Sequence, residues 1–316
     1  MNKTGNTKKG SMKPLCELNL LDRFLFACTM EDPKALELVL SIIMEKEIVL
    51  TGRPQAEKEL RTAPWLRSVR LDVYTMDDEE QVYNAEVQKQ NTGNLIKRSR
   101  FYQALIDSTL LAPGEIDFNN MQPSYLITIM PFDLFGKGLY KYTFSMRCRE
   151  YDDIFLEDGS TRIFLNTRGT SAEGAGPELI ELLHYMENTS GDEASKSQSK
   201  RIKELHRRVS EIRASEEIGV KYMQEWEERA YERREARAEG MKEGEEKGLK
   251  EGEAKGLEEG KAKGLEEGIK AFILDYLEEG KTEAQILHKL QHRFSLGKDA
   301  ANEYLMRFAS HPGINR

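Results

Sequence analysis

Residues 69–90 read VRLDVYTMDDEEQVYNAEVQKQ, and the periodicity of this stretch changes twice. Val69, Leu71 and Val73 alternate with Arg70, Asp72 and Tyr74, the two-residue repeat of a half-buried strand. The polar run Asp77 to Gln81 breaks the alternation. Val82 to Gln88 resumes it, with Val82, Asn84, Glu86 and Gln88 on one face. The pattern predicts a β-hairpin whose loop of about five residues is a common length. With that loop the register pairs Met76 with Val82 and Tyr74 with Asn84, so Asp72 falls opposite Glu86.

Directly opposed residues have Cβ atoms roughly 4.5–5.5 Å apart. Two carboxylates that close repel, and one pKa rises unless a cation sits between them. Mg²⁺ removes the conflict, because it is held by one or two carboxylates while keeping waters and binding phosphates. A cation so placed polarises a phosphoryl oxygen and generates a nucleophile from water. Gln88, on the same face as Glu86, is placed to orient that water or a phosphate. Spacing alone leaves a second reading open, a solvated hairpin face in a chain with 55 acidic residues.

Working outward from the hairpin, Asn91 to Asn94 form a turn, and Leu95 to Leu111 read as a helix with Ile96, Phe101, Leu105 and Ile106 as apolar contributors. Lys97, Arg98 and Arg100 cluster on its first turns, as contacts for a phosphate backbone or as a solvated charged face. Tyr102 beside them is a phosphate hydrogen-bond donor or a packing residue. Ser124 to Met130, SYLITIM between two prolines, has the form of a strand covered on both faces. Tyr140 to Arg149 alternates, with Tyr140, Tyr142, Phe144, Met146 and Cys148 on its packing face and a basic face opposite. Ile163 to Asn166 reads as a last short strand after an Asp158-Gly159 turn.

Before the hairpin, Glu17 to Glu47 is helical in spacing and interrupted near Asp32-Pro33, with Asp32 as N-cap of a second helix. Residues 1–14 read as disordered and Thr51 to Trp65 as a polar connector. After the last strand, Pro177 opens a helix, Asn188 to Lys200 reads as a mobile loop or linker, and residues 201–238 are charged and helical with an apolar stripe of Ile202, Leu205, Val209 and Ile212. His184 and His206 have no ligand-spaced partners and read as surface or packing residues.

Composition sets bounds. Hydrophobic residues at 39% and charged residues at 32% describe a globular protein with at least one highly charged segment. Cys16, Cys28 and Cys148 are too few and too scattered for a disulfide framework or a zinc site. The basic N-terminus lacks an apolar core, and the run Leu18 to Met30 is far shorter than the ~20 residues of a membrane span. A cytoplasmic location with no membrane contact is the expectation. A formal charge of −8 argues against binding polyanions over the whole surface and leaves room for a local basic groove.

Asp72 followed by Glu86-Val87-Gln88 resembles the D…ExK signature of the PD-(D/E)XK nuclease superfamily in an ExQ variant. Three blocks in order, LDVYTMDDEEQVYNAEVQ, KRSRFYQALIDSTLL and PSYLITIMPFDLFGKGLYKYTF, resemble the Rpn-type recombination-promoting nucleases, also described as putative transposases. The similarity runs from Leu18 to about Glu239. It implies a restriction-endonuclease-like αβββαβ core with a mixed sheet, an α/β fold. It implies Asp72 and Glu86 as metal ligands and puts Gln88 where the superfamily more often has a catalytic lysine. Gln carries no ammonium, although its amide donates and accepts hydrogen bonds. Lys89 faces the other way on a regular strand. Lys97 is then a migrated lysine, a helix-start charge or a phosphate contact. Asp22 in LLDRFLF matches the acidic residue of the family's first helix, as a second metal ligand or as a helix N-terminal residue.

Gly240, Gly244, Gly248, Gly252, Gly256, Gly260, Gly264 and Gly268 recur every fourth residue. Glu243–Lys247, Glu246–Lys250, Glu251–Lys255 and Glu259–Lys263 are favourable pairs worth ~0.2–0.5 kcal/mol each. Each glycine costs ~1 kcal/mol against alanine, so the helix is marginal alone. A half-helical spacer that self-associates at times is the expectation. Beyond it, Ala271 to Phe308 forms two or three short helices broken near Gly280 and Ser295-Leu296-Gly297, a helix-turn-helix-like, dimerisation or positioning module. His288 and His292 have metal-compatible spacing without a third ligand.

The domains expected are a nuclease at 15–190, a charged helical extension at 201–238, a glycine-repeat spacer at 239–269 and a helical module at 270–310. The function expected is a DNA endonuclease dependent on Mg²⁺, or on Mn²⁺ or Ca²⁺, that promotes recombination or belongs to a mobile element. Homo-oligomerisation through the tail is a further expectation. The alternative is a catalytically inactive DNA-binding or assembly protein that acts through its helical tail.

Overall fold

A computed structural model describes residues 12–60 and 69–309. Most of the N-terminal stretch and the end of the connector toward Trp65 lie outside the described residues. The chain divides into two compact units, residues 1–228 and 229–316.

The first unit is built on a six-stranded mixed sheet. Its strands are β1 (Gln55–Leu60), β2 (Val69–Met76), β3 (Val82–Val87), β4 (Ser124–Met130), β5 (Lys141–Phe144) and β6 (Ser160–Asn166). The order across the sheet is β1-β2-β3-β4-β6-β5. β1, β2 and β3 are antiparallel neighbours, β3 and β4 are parallel, β4 and β6 are parallel, and β5 closes the edge antiparallel to β6. Helix α3 (Leu95–Asp107) makes the crossover that a parallel β3–β4 pair requires. Helices, then β1 to β3, α3 and β4, reproduce the αβββαβ order.

The hairpin register is the one the alternation predicts: Met76 pairs with Val82 and Tyr74 with Asn84. β4 is covered on both faces, which is why its sequence reads as a continuous apolar run. One face carries α1 (Arg23–Met30), α2 (Pro33–Met44), α4 (Pro177–Glu187) and α6 (Lys200–Ala214) over Val73, Ala85, Ile127, Ile129, Ile163 and Leu165. On the other, α3 packs Leu105 and Ile106 onto Leu71, Val82 and Leu126. Asp32 caps α2 through the Lys34 amide, with Pro33 in the first turn.

Several expectations change. The connector contains strand β1, whose polar sequence suits an edge with alternating exposure. Residues 188–200 are not a mobile loop: α5 (Gly191–Lys196) is capped by Ser190, and Ser197 and Ser199 donate to Glu181 and Glu178 on α4. α6, expected in a separate extension, buries Ile202, Leu205 and Val209 in the main core. Ile96 and Phe101 on α3 are exposed, as are Phe144 and Met146, and β5 is only four residues long. Among the three free cysteines Cys28 is buried, Cys148 intermediate and Cys16 exposed.

The glycine ladder lies within a single helix, α7 (Glu216–Glu278), rather than a half-helical segment. A Cβ added at any of Gly240 to Gly264 meets no atom within 4 Å, so these glycines are not required by close packing within the second unit. In the second unit Ile269, Phe272 and Ile273 at the end of α7 join α8 (Glu283–Arg293) and α9 (Lys298–Ala309) in a small core. Gly280, at φ 70°, supplies the left-handed residue that ends α7. Among the described residues no helix is long and apolar enough to cross a membrane.

Candidate active site

Continuing the β2–β3 register by one step from Val73–Ala85 sets Asp72 opposite Glu86. In β3, alternation with Tyr83, Ala85 and Val87 turns Asn84 and Glu86 toward the α3 side of the sheet, and Asp72 is near enough for its charge to act on Glu86. Both carboxylates are 6% exposed. Burial without full hydrogen bonding is costly for charged groups, so their partners decide what this pair is.

Asp72 Oδ1 lies 2.7 Å from Arg23 Nε. Its Oδ2 accepts from the Val87 amide at 3.3 Å. Arg23 is the first residue of α1, the helix capped by Asp22. Glu86 is more weakly held: Asn84 Nδ2 donates to its Oε1 at 3.4 Å, and Arg98 Nη2 is 3.8 Å from its Oε2. Arg98 donates a shorter bond, 2.7 Å, to Gln88 Oε1, and the Gln88 amide nitrogen donates to the Gln90 carbonyl. Arg98 also lies 5.5 Å from the centre of the Tyr102 ring. Thus β3 supplies Asn84, Glu86 and, just beyond its end, Gln88, while α1 and α3 each bring one arginine.

The electrostatic consequence falls mainly on Glu86. Burial first, and the neighbouring Asp72 charge second, push its carboxyl up to about 8. Asp72 is also raised by burial, against the pull of Arg23. A cation between the two carboxylates would oppose both shifts.

Not every expected residue joins this centre. Asp22 Oδ1 accepts from the Phe24 amide and its Oδ2 pairs with Lys89 at 2.9 Å, tying α1 to the end of β3. Among the described residues no three His, Cys, Asp or Glu side chains gather as a metal cluster, so Asp22 does not complete one with Asp72 and Glu86. Lys97 and Arg100 are exposed on α3, while Arg98 is the α3 cation beside Glu86 and Gln88. Tyr102 is half-buried. Sequence reasoning missed Arg23 and Asn84. Asn84 shares the Glu86 face and was visible in the alternation; Arg23 gave no signal beyond its place next to Asp22. His184 and His206 bond to the hydroxyls of Tyr140 and Tyr185 and pack, as expected.

The profile of the PD-(D/E)XK nuclease family transposases matches residues 30–242, two-thirds of the chain, including both carboxylates. The chain belongs to this family. No curated protein and no solved structure matches it. Membership supports a nuclease-type function, and PD-(D/E)XK nucleases generally use divalent metal ions.

The residues present fit such an ion. Besides the two carboxylates, Asn84 Oδ1 is buried with no hydrogen-bond partner. An unpaired buried acceptor is unusual in a native structure and calls for a ligand, water or ion. Two carboxylates and an amide oxygen form a hard donor set of the kind that Mg²⁺, Mn²⁺ and Ca²⁺ take.

Proposed function

We propose that this family member is a metal-dependent DNA endonuclease, with Asp72 and Glu86 as the metal-holding pair. The observation that carries the reading is the buried carboxylate pair on adjacent strands, with Glu86 pushed up to about 8 and an orphaned Asn84 oxygen beside it. A divalent cation there would supply Lewis-acid polarisation of a phosphoryl oxygen and a nucleophile from water at neutral pH.

The protein's own groups then have distinct tasks. Glu86, with Asp72 and the Asn84 oxygen, would hold the cation, and the ion's charge would favour the ionised form of Glu86. Arg98 takes the positive role that the superfamily lysine more often has: it is a fixed cation at the Glu86 side, able to grip two phosphate oxygens at once. Gln88 holds Arg98 through its carbonyl oxygen and thereby positions it. Lys97 and Arg100, solvent-facing on the same helix, contact the backbone of the bound strand, and Tyr102 buttresses Arg98. Asp22 acts at one remove through Lys89 and the start of α1. The transposase description of the family supports a role in recombination or mobile-element biology, with cutting rather than strand joining as the chemistry these residues support.

One observation favours the alternative of a non-catalytic DNA-binding protein: Arg23 and Arg98 already flank the two carboxylates and lower their charge cost. Purified protein incubated with supercoiled plasmid and Mg²⁺, Mn²⁺ or Ca²⁺, beside Asp72→Asn and Glu86→Gln, separates the two. Metal-dependent nicking lost in both variants upholds the nuclease. DNA binding without cutting, together with no calorimetric Mn²⁺ binding, would leave the arginine-neutralised pair as structure.

A further inference from the structure

A second feature on the α3 side of the sheet is an open, mostly apolar pocket of about 180 Å³. Its walls include Phe135, Phe144 and Phe164, with Ile96 and Ser99 from α3 and Arg162 from β6. That volume is below the ~300–1,000 Å³ of whole-ligand pockets and suits one planar ring system. Phe135 and Phe144 are 4.9 Å apart between ring centres, and Phe164 meets both edge-on at 5.4 and 5.7 Å. Phe144 is 44% and Ile96 53% exposed, so aromatic and apolar surface is left facing solvent at the mouth.

The sheet register ties this pocket to the carboxylates. Glu86 pairs with Thr128, and Thr128 pairs with Phe164. Phe164 therefore lies in the same row as Glu86, two strands and roughly 10 Å away. The first turns of α3 stand between: Arg98 faces Glu86, while Ile96 and Ser99 line the pocket. Lys97, Arg100 and Arg162 make no ion pair among the described residues, so the surroundings of the pocket carry free positive charge on a chain of formal charge −8.

We propose that this pocket binds a nucleobase swung out of the stack, from a nucleotide next to the phosphate held at the carboxylate site. The inference rests on the nuclease reading and adds a preference for unpaired or distorted DNA. Three properties favour a base over an apolar protein side chain. The walls offer π-faces, on which any base stacks. Arg162 offers donors to a base edge, which an aliphatic group would leave unsatisfied. The separation from Glu86 is one that a single flipped nucleotide spans. An unpaired base also costs less to extract than a paired one, which turns the pocket into a source of selectivity.

The test uses full-length Glu86→Gln protein, so that strands stay intact, and a DNA duplex carrying one unpaired 2-aminopurine beside its fully paired counterpart. The expected result is about tenfold tighter binding of the bulged duplex, within the range of one base–aromatic stack, with quenching of the 2-aminopurine emission. Adding Phe144→Ala or Arg162→Gln should remove the preference and the quenching while affinity for paired DNA persists, which also shows that the variants fold. Equal affinity for both duplexes, or an unchanged preference in both variants, overturns the pocket and leaves the nuclease reading standing if wild-type protein nicks plasmid. No DNA binding at all overturns both. A Phe144→Ala protein that loses self-association and keeps its DNA affinities would give the pocket to a second copy of the chain instead.

Discussion

The two ends of the β2–β3 hairpin each bury a carboxylate, and they treat it in opposite ways. At the turn, Asp77 is 1% exposed and fully engaged: its Oδ1 accepts from the amides of Glu79 and Gln81 and its Oδ2 from the Tyr83 hydroxyl at 2.8 Å. At the open end, Glu86 is 6% exposed with one long hydrogen bond and an arginine 3.8 Å away. The turn spends its buried charge on holding the chain in register. The open end keeps a carboxylate undersatisfied beside a second one, an arrangement that costs stability and suits a cation. Burial alone therefore does not mark a functional acid; burial without partners does.

The largest effect is expected from neutralising the open end. Glu86→Gln should lower plasmid cleavage by about 10²–10³-fold or more, the scale of losing a group that acts on transition-state charge. Its effect on folding should run the other way. Because the folded-state pKa lies above the usual 4.5, the native protein keeps a proton that the unfolded chain has lost, so stability falls as pH rises from about 4.5 to about 8. Wild-type melting temperature should decline across that window and recover on adding Mn²⁺. The Gln variant should show a flatter profile and little response to the ion. A wild-type profile that is flat between those limits would mean Glu86 is not strained, and the contrast between the two ends would fail.

Arg98 tests whether the helix cation belongs to the reaction or only neutralises Glu86. Arg98→Ala should cut the cleavage rate by about 10²-fold, and Arg98→Lys should restore part of it, since the charge returns without the planar fork. A residue that merely offset the Glu86 charge would, on removal, push that carboxyl higher still and shift the pH profile of metal binding without this graded loss in rate. Rate constants at saturating metal, measured alongside metal affinity, separate the two roles.

At the turn the expected signature is inverted. Asp77→Ala removes the acceptor of three hydrogen bonds and leaves buried donors unpaired, a loss of about 2–4 kcal/mol in urea unfolding. Cleavage per folded molecule should stay near the wild-type value. A large loss of activity in well-folded Asp77→Ala would show that the turn feeds the site.

The hairpin was legible in the sequence because a period of two survives on both sides of its polar loop, and that pattern fixes the register linking Tyr74 to Asn84. SYLITIM was legible for a related reason: a strand buried on both faces has no polar positions to confuse it. β1 was not, since an edge strand reading QAEKEL has little apolar content. Nor was α5, whose order comes from Ser197 and Ser199 reaching α4, contacts made only after folding. The same division runs through the site. Asp72, Glu86 and Gln88 lie on local sequence spacing, whereas Arg23 comes from a helix some fifty residues earlier and reaches Asp72 only through tertiary packing. Arg98 was visible as one of three basic residues on α3; which of them faces Glu86 depends on how the helix is rotated against the sheet.

The smallest effect sharpens the comparison furthest, because it separates the two ends on the pH axis. Tyr83→Phe deletes the hydroxyl that donates to Asp77 and should cost about 1 kcal/mol, one net hydrogen bond. Burial, and the adjacent Asp77 carboxylate, raise the Tyr83 hydroxyl above its ordinary value of 10.0. The unfolded chain then ionises first, so wild-type stability should fall as pH climbs past about 10 through this group. The Phe variant, slightly weaker at pH 7, should lose less over that alkaline range, while its decline between about 4.5 and 8 stays that of wild type because Glu86 is untouched. Urea midpoints at pH 5, 7, 9 and 10.5 for Tyr83→Phe and Glu86→Gln would read both windows. If either substitution altered both windows, the turn and the site would be one coupled network rather than two ends doing different work.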